Sequence, residues 1–198
     1  MNRALLVIDV QESFRARKSW ELINHSNIAE RCNRLVAAAR KAGDLVIWVL
    51  HAEPGSGDVF DPASGNVRLL EPLQPADGEP VITKTSHNAF TTTNLQQLLT
   101  SHGIGEIVIS GIRTEQCCET TARVGSDLGY RVTFVVDATA TQPLAAPGLS
   151  LDRDFDQVIN DPRTLPAESV VERTVYALAG RFATITSLDD FAGSPIVA

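Results

Sequence analysis

The sequence predicts an α/β chain, a three-layer doubly wound domain on a mainly parallel sheet of about six strands. Three observations predict it. Apolar runs such as Ala4 to Ile8, Leu45 to Leu50 and Ile107 to Ile109 lack the alternation of a half-exposed strand, so both of their faces must be covered. Segments of helical period lie between them. Strand ends are polar and helix ends carry glycine, the punctuation of repeated βα units.

The elements follow in order. Ala4 to Ile8 is the first strand, ending at Asp9. A helix from about Asn27 to Ala42 presents Ile28, Cys32, Leu35, Val36 and Ala39 on one face, with Gly43 as its C-cap. Leu45 to Leu50 is the second strand, ending at His51. Residues 52–79 are rich in Gly, Pro and Asp and read as a long surface excursion. Pro80 to Lys84 is a short third strand. Leu95 opens a helix closed by Gly103, the fourth strand covers 106–110, and its helix runs over about 115–128. Arg131 to Val136 is the fifth strand, ending at Asp137. Residues 140–164 read as loop. Pro166 suits the first position of a helix reaching about Ala179, and Phe182 to Ile185 reads as a last strand. No internal repeat or linker divides the pattern, so one domain over 1–198 is expected.

Composition narrows the function classes. The chain has 198 residues, a net charge of −7 and 43% hydrophobic residues, with a pI near 5.0 and mean hydropathy near zero. It has no Lys/Arg cluster, which argues against nucleic acid and acidic membrane surfaces as partners. No apolar run approaches the roughly 18 residues of a membrane span, and the first residues lack the order of a signal peptide. Three cysteines, two of them adjacent, fit a reduced, cytoplasmic protein. Nucleotide-dependent redox chemistry finds no support: the first strand leads into Asp9-Val10-Gln11-Glu12-Ser13 rather than a G-x-G-x-x-G turn, and no P-loop is present.

The C-terminal ends of parallel strands share one edge of the sheet, where open α/β folds bind ligands. Strands one, three and four end near Asp9, Lys84 and Cys117, which brings a carboxylate, an ammonium and a thiol toward one another. A nucleophilic cysteine needs a base and a cation. Asp9 suits proton transfer and Lys84 suits stabilisation of charge. A helix N-terminus at Cys117 lowers a thiol pKa and offers amides to an oxyanion.

These residues lie in segments that resemble the isochorismatase-like cysteine hydrolases, which include nicotinamidases and N-carbamoylsarcosine amidase. The segments are Leu6 to Phe14, Lys84 to Leu95, Gly111-Ile112-Arg113-Thr114-Glu115-Gln116-Cys117-Cys118-Glu119-Thr120-Thr121, then Gly129 to Val132 and Asp137-Ala138. The resemblance covers about residues 4–140. It implies Asp9 as general base, Lys84 as its cationic partner and Cys117 as nucleophile. It also implies a cis peptide between Ile112 and Arg113 and an oxyanion hole from the N–H groups of Arg113 and Cys117. A homo-oligomer is implied, and a small-molecule substrate with no cofactor is expected.

Cys117 lies six residues after Gly111, as in the family motif. Cys118 aligns with Ala122 and Gly125 on a small-residue face and reads as core, as does Cys32. A redox switch at the vicinal pair is disfavoured because adjacent helical cysteines bond only with strain. Nicotinamidases hold a metal through Asp-x-His and two further histidines. Here the corresponding stretch is His51-Ala52-Glu53, and no other histidine follows until His87; no metal is expected. His51 reads as a hydrogen-bonding strand-end residue. Phe14 and Phe90 are candidate apolar walls of a substrate pocket, His87 a candidate lining residue, and Arg113 a candidate for a substrate carboxylate. The cysteine favours C–N bond hydrolysis through a thioester. A vinyl-ether hydrolase and a non-catalytic binding scaffold on the same fold remain alternatives.

Overall fold

The computed structural model describes residues 2–193. Six strands form one sheet: β1 (Asn2–Ile8), β2 (Leu45–His51), β3 (Val81–Lys84), β4 (Ile104–Ile112), β5 (Arg131–Ala140) and β6 (Thr184–Thr186). Their order is β3-β2-β1-β4-β5-β6, and every pairing is parallel. The strand order reverses direction between β1 and β4, which is where such sheets open a crevice.

The helices are α1 (Glu12–Arg15), α2 (Ile28–Ala42), α3 (Leu95–Ser101), α4 (Glu119–Asp127), α5 (Phe155–Asn160), α6 (Ala167–Leu178) and α7 (Leu188–Gly193). Because successive strand side chains point to opposite faces, β1 feeds two cores. Leu5 and Val7 pack with Ile28, Leu35 and Val36 of α2 and Leu188 of α7. Ala4, Leu6 and Ile8 pack with Leu95 and Leu99 of α3, Ala122 of α4 and Leu178 of α6. Helices thus cover both faces, as the unbroken apolar strands require. Among the described residues no helix is long and apolar enough to cross a membrane.

Four local differences from the sequence expectation matter. Cys117 lies in a π-helical turn, Thr114–Cys118, that precedes α4 rather than in the first α-turn itself. β5 continues past Asp137 to Ala140 through a register shift opposite Ile109 and Gly111. The segment expected to be loop contains α5. The last strand begins at Thr184, two residues later than expected, and α7 follows it.

Candidate active site

Three strand ends deliver the site. Asp9 follows β1 with φ 55°, the single positive φ of a non-glycine residue among those described. Aspartate tolerates this left-handed region better than most residues. Its amide donates to Val49 O at 2.8 Å and its carbonyl accepts from Gln11 N at 2.9 Å, so the strand end is pinned. Lys84 is the last residue of β3 and pairs in register with His51 at the end of β2. Cys117 follows β4. At Gly111 (φ 129°) the backbones of β4 and β1 approach so closely that a Cβ would stand 1.9 Å from Ile8 O. The Ile112–Arg113 peptide between Gly111 and the turn is cis, as the resemblance implies. Thr114 Oγ1 donates to Thr139 Oγ1 at 2.9 Å and ties the turn to β5.

Lys84 is the hub. Its Nζ lies 2.7 Å from Asp9 Oδ2, 3.3 Å from Cys117 Sγ and 3.2 Å from His51 Nδ1. An ammonium has three donors and no acceptor, and three partners surround this one. Lys84 and Asp9 are both 0% exposed and Cys117 is 6% exposed. The Asp9 contact is an ion pair by distance. Neither carboxylate oxygen has a hydrogen bond of good angle, so acceptor capacity remains for the thiol proton.

The charge states follow from this packing. Burial pushes the Asp9 carboxyl above its ordinary value, against the pull of Lys84. Burial also works against the Lys84 ammonium, but Asp9 and Cys117 outweigh it and hold its pKa above the usual lysine value. Burial pushes the Cys117 thiol well up and the Asp9 charge adds to it, with Lys84 opposing. The expectation of a lowered thiol pKa at a helix N-terminus is therefore overturned. Desolvation and a neighbouring carboxylate exceed the dipole effect, and Cys117 rests as a thiol. Cys32 and Cys118 are fully buried core residues; burial raises the Cys32 thiol to about 12.

A cavity of about 390 Å³ opens above these groups. Asp9, Cys117, Phe14, His87 and Arg113 line it, as do His51, Phe60, Arg17, Gln116 and residues of the stretch 143–152. Phe90 is a correction: it does not line the cavity. It belongs to the core on the α3–α4 face, where its ring stacks on Tyr130 at 6.0 Å. It sits in the turn that follows β3, where its amide donates to Asn88 Oδ1 at 2.9 Å, and this turn carries the ring into the core. Residues 143–145 and 149–152, from the stretch expected to be loop, form one wall. Asp152 accepts from Arg17 Nη1 at 2.9 Å and Ser19 Oγ at 2.9 Å, while Arg17 Nη2 also reaches Asp58 at 2.7 Å.

His51 is the residue whose place at Lys84 the sequence analysis missed; its position at the end of the second strand was the available signal. Gln11 clamps its backbone, donating to His51 O at 3.0 Å and accepting from His51 N at 2.7 Å. Burial and the Lys84 charge hold its pKa below the ordinary value. The neutral ring accepts from Lys84 at Nδ1 and faces Glu53 Oε1 with Nε2 at 3.4 Å. The residues present do not fit a nicotinamidase-type metal. His51 Nδ1 is engaged by an ammonium, and among the described residues no group of three or more His, Cys, Asp or Glu is arranged around a metal position.

The family model for the isochorismatase domain matches residues 3–161. The isochorismatase family protein YrdC of Bacillus subtilis is 31% identical over 187 residues, covering 94% of this chain and 92% of that one. Nicotinamidase 3 of Arabidopsis thaliana is 32% identical over 151 residues, covering 70% of this chain and 73% of that one. The crystal structure of an isochorismatase from Pseudomonas putida superposes with a TM-score of 0.80 at 28% identity, covering 96% of this chain and 89% of that one. With the six-stranded parallel sheet and these matches in agreement, the chain belongs to the isochorismatase family of hydrolases.

Proposed function

We propose that the protein is a cysteine hydrolase that cleaves the C–N bond of a small amide or carbamoyl compound, with Asp9, Lys84 and Cys117 as its catalytic triad. The observation that supports it most is the position of Lys84 Nζ, in contact with both the Asp9 carboxylate and the Cys117 sulfur. A purely structural buried ion pair has no use for a thiol at its third donor.

The chemistry starts from the thiol. Asp9 takes the Cys117 proton as Sγ bonds to the substrate carbonyl carbon, and Lys84 holds both the thiolate character and the carboxylate. The backbone N–H groups of Arg113, which precedes the π-helical turn, and Cys117 within it receive the developing oxyanion. Asp9 returns the proton to the nitrogen, the C–N bond breaks, and an amine or ammonia leaves a thioester. Water then attacks this carbon, its proton passes to Asp9, and the C–S bond breaks. The acid product departs and the thiol regains the proton. Nicotinamidase 3, by its name an amide hydrolase, supports this bond type, although the metal-binding pattern implied for nicotinamidases is missing here.

The test is a screen of small amides and carbamoyl compounds for ammonia release, with isochorismate assayed for pyruvate. Wild-type turnover that disappears in Cys117→Ala and Asp9→Asn is the expected result. Turnover that survives in Cys117→Ala would replace amide hydrolysis with vinyl-ether chemistry.

A further inference from the structure

Arg113 is the one arginine of the cavity without a carboxylate partner. It is half-buried against the turn that holds Cys117 and lines the same cavity. Its hydrogen bond runs from Nη2 to Gln142 Oε1 at 2.5 Å, a neutral acceptor. The cavity's other arginine, Arg17, is engaged by Asp58 and Asp152.

The acids nearest Arg113, Glu115 and Asp152, act on its charge, but neither forms an ion pair with it. Asp152 holds Arg17 and Ser19, and Glu115 Oε2 accepts from Thr141 Oγ1 at 2.5 Å while its Oε1 has no hydrogen-bond partner. Gln142 is almost fully buried, and its Nε2 has no hydrogen-bond partner. Holding a guanidinium away from water without a directly paired carboxylate is costly. Burial accordingly lowers its pKa, with Glu115 and Asp152 opposing, yet arginine stays protonated in proteins. A charged fork at the wall of a small cavity, beside the proposed nucleophile, matches a planar anion that accepts two parallel hydrogen bonds.

We propose that Arg113 recognises a carboxylate on the substrate, so that the compounds cleaved are small amide or carbamoyl acids. The carboxylate docks on the guanidinium while the scissile carbon meets Cys117 Sγ. This rests on Cys117 being the nucleophile. The bound anion supplies the direct ion pair that Glu115 and Asp152 do not make with Arg113.

Malonate and its neutral diamide, malonamide, test this by calorimetry at neutral pH and low salt, because neither measurement needs turnover. The wild type should bind malonate about tenfold or more tightly than malonamide, the scale of a charge-assisted hydrogen-bonded pair. Arg113→Gln should abolish that preference. Arg113→Lys, which keeps charge without the fork, should retain part of it. Equal binding of the two compounds by the wild type, or an unchanged preference in Arg113→Gln, would overturn the proposal. Should Arg113→Gln fail to fold, an unchanged malonate affinity in Arg113→Lys would overturn it too, and a reduced one would uphold it. A protein that binds malonate through Arg113 yet hydrolyses no amide would remove only the hydrolase assignment. An active enzyme that does not distinguish the two compounds would remove only the role of Arg113.

Discussion

Lys84 donates a hydrogen bond to Nδ1 of His51 across 3.2 Å, and this contact fixes the direction of the ammonium's other two N–H groups. With His51 anchored by Gln11, the lysine is held from a side that faces neither the carboxylate nor the sulfur.

His51→Leu leaves one donor of a buried ammonium unmet. An unsatisfied buried donor costs about 1–3 kcal/mol, so turnover should fall about ten- to a hundredfold. His51→Gln offers an amide oxygen at a similar reach and should recover most of the loss. Equal activity in His51→Leu and wild type, with thermal stability matched, would show that the contact does not position Lys84.

The charge states set a pH profile. Asp9 must be a carboxylate to take the thiol proton, and burial raises its pKa above the ordinary 3.8. The acid limb of kcat/KM should therefore lie above that value, with activity lost as pH falls through it. Lys84 is held above its ordinary 10.5, so loss of the ammonium should begin only beyond the usual lysine range. Between these two limbs the profile should show no titration of the thiol. The proton of Cys117 moves within the site, not to solvent. A limb rising with the midpoint of a free thiol, about 8.5, would show that a thiolate must form before substrate binds.

The adjacent cysteines should separate cleanly. Cys117 touches Lys84 and lines the cavity, whereas Cys118 is 0% exposed in the core beside Ala122. Cys117→Ala should abolish amide hydrolysis with the fold retained. Cys118→Ala should keep turnover within a few-fold and lower stability by about 1 kcal/mol for the lost packing. Loss of activity in a folded Cys118→Ala would mean that the wrong sulfur has been assigned.

The sheet was legible because parallel strands buried on both faces cannot hide their apolar runs. The meeting of Asp9, Lys84 and Cys117 was legible because strand C-termini share an edge. The state of the thiol was not. A helix N-terminus is visible in a sequence, but the burial of Asp9 and Cys117 depends on the packing of chain segments far from both. Phe90 shows the same limit: a ring near Lys84 in sequence turned into the α3–α4 core, while Phe60, from the long excursion, took a place in the cavity against Phe14 at 4.9 Å. Loop residues reach a site through tertiary paths that periodicity does not record.

Gly111 is a position where only a missing side chain fits. A Cβ there would sit 1.9 Å from Ile8 O, against backbone that cannot yield, and φ is 129°. Gly111→Ala should destabilise the protein by more than about 4 kcal/mol, the scale of severe single substitutions. Urea denaturation checks this; a loss under 1 kcal/mol would mean that β1 and β4 separate at little cost.

The buried ion pair should behave as a unit in stability. Asp9 and Lys84 are both fully excluded from solvent and 2.7 Å apart. Lys84→Met removes the cation and leaves a carboxylate in the interior with no countercharge. Breaking a buried pair in this way costs about 3–5 kcal/mol. The double variant Asp9→Asn/Lys84→Met contains neither charge, so the same logic has it regain much of that loss while remaining inactive. A thermodynamic cycle over wild type, the two single variants and the double variant measures the coupling, which should be large because the groups touch. Additive losses, with the double variant the least stable of the four, would mean that the two charges do not depend on each other for burial. Lys84 would then be held mainly by Cys117 and His51.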